Sequence, residues 1–179
     1  MSQDLSPLVS KALQFASHAH NSIDHRRKYT GEPYINHPIE VMEIVRSIPH
    51  TDEMLTAALL HDTIEDTPTT REDIAREFGE PVAALVMELT DQCHEGNRAA
   101  RKAAEAVRLG TISPEAQTVK LADFISNTQS IVVGSPGFAK VYLREKLQVL
   151  AVMTEGNPNL YRQAMALIED AKTSIGFRP

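Results

Sequence analysis

The stretch LLHDTIEDT, residues 59–67, sets a histidine, two aspartates and a glutamate directly behind the apolar run MLTAALL. Read as helix, His61 and Asp62 are neighbours about 100° apart around the axis, so a metal lying between their directions is within reach of both. Glu65 falls one turn beyond His61, and Asp66 one turn beyond Asp62, which brings two pairs into one sector. Three carboxylates and an imidazole crowded in this way repel one another when ionised, and a cation or strongly shifted pKa values must relieve them. A divalent metal is the simplest relief.

Two other segments supply matching parts. PYINHP puts His37 immediately before Pro38, a junction where a side chain is aimed while the backbone stays fixed. VKLADFISNTQSI carries a polar stripe of Lys120, Asp123, Asn127 and Ser130 opposite Leu121, Ile125, Thr128 and Val132. Asp123 sits among Leu121, Ala122, Phe124 and Ile125, where an acid is costly without a partner. Two histidines and two aspartates form a mixed nitrogen and oxygen set suited to a first-row metal. An HD dipeptide alone is a weak signal, since such a pair at a helix end commonly serves as a cap or an ion pair. The three segments together carry the reading. His18, His20, His50 and His94 gain no such support and read as surface, packed, turn or loop residues, and Cys93 as a small, partly buried one.

The elements that must position these groups are helices throughout. Apolar residues recur at three- and four-residue intervals and no period-two strand stands out, so the fold class is all-α. Leu8, Ala12, Phe15 and Ala19 predict the inner face of a first helix; Pro38 opens a second facing inward with Val41, Ile44, Val45 and Ile48. Asp52 is placed to cap the helix that runs through Leu55, Leu59 and Leu60 into the HD motif. Thr70 and Asp73 form a capping box, and Val82, Leu85, Val86 and Leu89 mark a further core helix. The charged segment from His94 to Arg108 predicts a mobile loop and an exposed helix. Ser113 and Pro114 start a long helix through Ile131, and two more follow GSPG. The first few residues and the closing GFRP are expected to fray.

Composition narrows the function classes. At 179 residues and 42% hydrophobic content, the chain suits one substantial core, a single domain spanning 1–179. A lone cysteine and an opening without an export signature predict a cytoplasmic protein. No apolar run approaches the ~18 residues of a membrane span, and a formal charge of −6 argues against general nucleic-acid binding. Any anionic ligand must meet local positive charge, of which HRRK, His25 to Lys28, is the only dense cluster ahead of the metal motif.

From RRKYTGEPYINHPIEV through TAALLHDTIEDT and EFGEPVAALVMELTD to VKLADFISNT, the sequence resembles the HD-domain phosphohydrolases, and among them the small, stand-alone RelA/SpoT-type alarmone hydrolases. The resemblance implies a bundle of about ten helices. It implies metal ligands at His37, His61, Asp62 and Asp123, with manganese as the usual metal. It makes Glu65 and Asp66 the acidic pair of active hydrolases, placed to orient a water whose pKa the metal lowers and to accept its proton. The implied reaction splits the 3′-diphosphate of guanosine 3′,5′-bis(diphosphate), or of its pentaphosphate relative, to GDP or GTP and pyrophosphate. Hydrolysis alone is expected, because the chain has no room for the synthetase and regulatory domains of long members. By the same likeness Arg27 lies along the base, Lys28 near phosphate, and Asn127 at the sugar or a phosphate. Homo-oligomers are common in that family. One departure falls after KLAD, where Phe124 replaces a basic residue. An adenosine alarmone or NADPH is therefore the alternative substrate, and a nucleotide-sensing module without turnover the second alternative. Intact Glu65 and Asp66 argue against the latter, since a binding module has little use for acids beside an anion.

Overall fold

The computed structural model describes residues 5–134 and 136–176 and divides into two units, residues 1–90 and 91–179. Most of the ends expected to fray lie outside the described residues. Among those described there are ten helices and no strand beyond an isolated bridge between Arg26 and Pro33, so the all-α reading holds. No described helix is long and apolar enough to cross a membrane.

The first unit contains α1 (Pro7–Asn21), α2 (Asn36–Arg46), α3 (Asp52–Leu60), α4 (Thr63–Asp66), α5 (Arg71–Phe78) and α6 (Glu80–Leu89). Its centre is α3, buried from Met54 to Leu60 and packed against α1, α2 and α6. The buried face of α1 is Val9, Ala12, Ala16 and His20, a rotation away from the expected Leu8, Phe15 and Ala19, which are half-buried. The small side chains at Ala12 and Ala16 fit the seam of a close helix pair, while Phe15 turns sideways to meet the Phe78 ring edge-on, at 5.4 Å. Likewise Met42 is buried in α2, and Ile44 is only half-buried.

Helix ends account for most other differences. Thr51, not Asp52, caps α3, its side chain accepting from the Met54 backbone N–H at 3.3 Å. The capping box of Thr70 and Asp73 is present on α5. Gly79 then adopts φ 89°, a left-handed value that favours glycine, and joins α5 directly to α6.

The second unit contains α7 (Arg98–Leu109), α8 (Pro114–Gly134), α9 (Pro136–Leu150) and α10 (Pro158–Ser174). The Ser113 hydroxyl accepts from the Ala116 N–H at 3.2 Å, the cap its sequence predicts. Contrary to expectation α7 is not simply exposed: Glu105, Ala106 and Leu109 are buried, and Arg108 forks onto Glu105. Buried Gln117 ties this unit together. Its amide donates to the carbonyls of Leu109 and Ile112, and its oxygen accepts from the N–H groups of Glu155 and Gly156 at 2.9 and 3.1 Å. Gln117→Leu keeps the volume but leaves those groups unmatched, so we expect a loss of roughly 3 kcal/mol and about 10 °C in melting midpoint. An unchanged midpoint in a thermal melt would contradict this role.

Candidate active site

The chain breaks its helix just where the chemistry begins. The expected continuous helix through the HD motif ends at Leu60, and α4 resumes at Thr63. The reason is local competition for the last carbonyls of α3: the His61 Nδ1 takes Ala58 O at 2.7 Å, and the Thr63 hydroxyl takes Leu60 O at 2.7 Å. The Asp66 N–H still bonds Asp62 O at 3.0 Å, so these two acids remain one turn apart.

Because a carbonyl only accepts, the bond to Ala58 fixes a proton on His61 Nδ1 and leaves Nε2 as the outward nitrogen. That nitrogen lies 3.0 Å from Asp62 Oδ2, and His37 Nε2 lies 3.8 Å from the same oxygen. Both histidines are buried, and their offered nitrogens lie within 4.8 Å of each other. Two imidazole nitrogens converging on one carboxylate oxygen are donors that a positive centre would reconcile. With His61 Nδ1 tied back to the helix, the set has the oriented-imidazole arrangement of metal-binding histidines. The residues therefore fit a divalent metal.

Tyr34 belongs to this group although its type and spacing gave no reason to single it out. Its hydroxyl donates to Asp62 Oδ2 at 2.6 Å. The ring is gripped by His25, stacked at 3.7 Å, and lies 4.8 Å from the His20 ring. His20, fully buried, has its pKa lowered to about 4, mainly by burial, and its Nδ1 lies 3.1 Å from His25 Nδ1. In PYINHP this tyrosine stands three residues before His37, and its role depends on a contact 28 residues away.

Glu65 and Asp66 are exposed, whereas the two histidines are buried. The Asp66 pKa is pushed up to about 7, first by desolvation and then by the carboxylates of Asp62 and Glu65, with His61 opposing. This is the like-charge crowding expected of the motif, and a cation relieves it. Arg27 is mostly buried and pairs with Glu40 at 3.3 Å, while the Lys28 ammonium lies over the Tyr29 ring at 5.6 Å.

In the second unit Asp123 is buried on α8, accepting from Asn127 Nδ2 at 2.6 Å and pairing with Lys120 at 3.1 Å. The polar stripe is thus an internally bonded chain. Phe124, at the departing position, is buried with its ring stacked 6.3 Å from Tyr142. Asp91, Cys93 and Glu105 also converge here, but Lys102 and Arg108 already match the two acids.

Known proteins share the sequence pattern and the fold of this chain. The HD-domain pattern matches residues 12–155. The guanosine-3′,5′-bis(diphosphate) 3′-pyrophosphohydrolase MESH1 of Mus musculus is 36% identical over 149 residues, 82% of each chain. A protein of Aquifex aeolicus with the same enzyme name is 33% identical over 80% of this chain but 20% of its own length. A solved structure of a metazoan ortholog of SpoT that hydrolyses ppGpp superposes with a TM-score of 0.84 at 29% identity, covering 94% of this chain and 98% of that one.

Proposed function

This chain belongs to the HD-domain phosphohydrolases, among the RelA/SpoT-type alarmone hydrolases, and from that membership we propose that it removes the 3′-diphosphate of guanosine 3′,5′-bis(diphosphate) with the help of manganese. The observation that carries the proposal is the convergence of His37 and His61 on Asp62, with Asp66 one turn beyond Asp62 and Glu65 next to it in α4. His37, His61 and Asp62 hold the metal, and Asp123 completes the set. Its burial and its position in the VKLAD segment support that assignment. The family pattern runs across both compact units, which supports their working as one hydrolase domain.

When bound, the metal supplies Lewis acidity, lowering the pKa of water and offsetting phosphoryl charge. The chain's own residues do the rest. Glu65 and Asp66 orient the attacking water and accept one of its protons as its oxygen bonds to phosphorus. The bond from that phosphorus to the ribose 3′ oxygen breaks, and the 3′ oxygen takes up a proton, leaving GDP and pyrophosphate. Arg27 lies along the purine, Lys28 meets phosphate, and Asn127 meets the sugar or a phosphate while bonded to Asp123.

A substrate panel tests the choice of base. With manganese, the guanosine tetra- and pentaphosphates are cleaved faster than the matched adenosine compounds or NADPH. Faster cleavage of the adenosine compounds would keep the metal chemistry and overturn the base assignment. Intact substrates with metal and nucleotide bound would mark a sensing module.

Tyr34→Phe probes the support of Asp62. Removing the hydroxyl leaves the ring stacked on His25 but frees Asp62 Oδ2 from its 2.6 Å bond. We expect manganese to bind about tenfold more weakly, with turnover at saturating metal within a few-fold of the parent. Unchanged affinity in a metal-competition titration would show that the bond does not position the ligand.

A further inference from the structure

Of the three permanent cations in HRRK, two already meet an acid. Arg26 holds Asp24 Oδ1 through two of its nitrogens, each at 3.1 Å. Arg27 Nη1 lies 3.3 Å from Glu40 Oε2. Lys28 has no acid partner among the described residues, and its ammonium lies over the Tyr29 ring. The positive charge that the sequence concentrates at this turn is thus left chiefly on one side chain.

The two arginine pairs are built differently. Arg26 and Asp24 are exposed and lie two residues apart in the turn. The Arg27 side chain is only 12% exposed, and its partner comes from α2, thirteen residues on. Its backbone is tied as well: the Arg27 N–H donates to Glu32 O, and Arg27 O accepts from the Gly31 N–H, both at 2.9 Å. Glu40 follows His37 by three residues and is its neighbour on the surface of α2, so the helix that offers a metal ligand also holds the guanidinium. An ion pair whose acid is 39% exposed adds little to stability, and its main effect is on where the guanidinium is kept. A guanidinium bound in its plane by a carboxylate keeps flat faces for stacking, while its attraction for a second anion is largely offset.

We propose that Glu40 is a positioning residue of the hydrolase: it keeps the Arg27 guanidinium for the neutral purine and away from phosphate, which is left to Lys28. This assignment rests on Arg27 lying along the base. Glu40 touches neither substrate nor metal and acts through Arg27 alone.

The test compares the full chain with Glu40→Gln, Glu40→Asp and Arg27→Met, and with the double variant of Glu40→Gln and Arg27→Met. Two quantities are measured with manganese in excess: kcat and KM for guanosine 3′,5′-bis(diphosphate), and the affinity for inorganic pyrophosphate, which has no base and so reads the charge of the turn. In Glu40→Gln we expect KM to rise about fivefold with kcat within about twofold of the parent. Pyrophosphate should bind that variant about threefold more tightly, because a freed Arg27 joins Lys28. Glu40→Asp keeps the charge and should hold pyrophosphate affinity at the parental value. In the Arg27→Met background, Glu40→Gln should change neither quantity. All variants should melt close to the parent. Parental KM and pyrophosphate affinity in Glu40→Gln, or changes of the same size without Arg27, overturn the proposal. Arg27→Met with the parental KM takes Arg27 from the base and this assignment with it, whereas a raised KM there beside a silent Glu40→Gln removes Glu40 alone. In a chain that cleaves no nucleotide the hydrolase reading falls, and the pyrophosphate titration still decides whether Glu40 restrains Arg27.

Discussion

Asp62→Ala should bind manganese at least about a hundredfold more weakly than the parent and show turnover reduced by on the order of a thousandfold. Asp62 Oδ2 is the point on which His61 Nε2, His37 Nε2 and the Tyr34 hydroxyl converge, so its removal dissolves the arrangement rather than trimming it. The fold should survive. Asp62 stands at the start of α4 without a side-chain capping bond, and deleting its charge also eases the crowding that raises Asp66. The metal-free variant should therefore melt within a few degrees of the metal-free parent, whereas manganese should stabilise only the parent. Full metal occupancy by elemental analysis of the variant would remove Asp62 from the ligand set.

The second large effect separates chemistry from metal binding. Glu65→Gln combined with Asp66→Asn keeps the shape of both side chains and removes their ability to take a proton. Both are exposed in α4, apart from the buried histidine nitrogens, which should still bind manganese. We expect kcat to fall by roughly 10²- to 10⁴-fold with metal content and nucleotide affinity nearly unchanged. Metal analysis beside single-turnover kinetics distinguishes the cases: near-parental turnover would end the catalytic assignment, and lost metal would make the pair ligands instead.

Much of this was legible before any coordinates, because the signals are local. The Thr70 and Asp73 box and the Ser113 cap depend on residues three apart, and each appears as read, as do the helices that the apolar periodicity marks, if not every face. The approach of His37 and His61 to Asp62 was expected chiefly from the likeness of the NHP and HD segments to the HD-domain hydrolases. What escaped depends on partners remote in sequence or on competition for single groups. Tyr34 matters through a contact 28 residues away, and no spacing rule joins the two. The break after Leu60 arises because His61 and Thr63 side chains take the final carbonyls of α3, which an apolar pattern does not register. The face of α1 was misread by a fraction of a turn, since alanines at a close seam give a weaker hydrophobic signal than Leu8 and Phe15 beside them.

The most direct measurement is to incubate the full chain with manganese and guanosine 3′,5′-bis(diphosphate) in ¹⁸O-labelled water, and to identify the products by anion exchange and mass spectrometry. Attack at the phosphorus attached to the ribose predicts GDP without label and pyrophosphate carrying it, with the reaction stopped by a chelator. Release of labelled orthophosphate, or a nucleotide that survives with metal bound, would contradict the assignment of this site as a 3′-pyrophosphohydrolase.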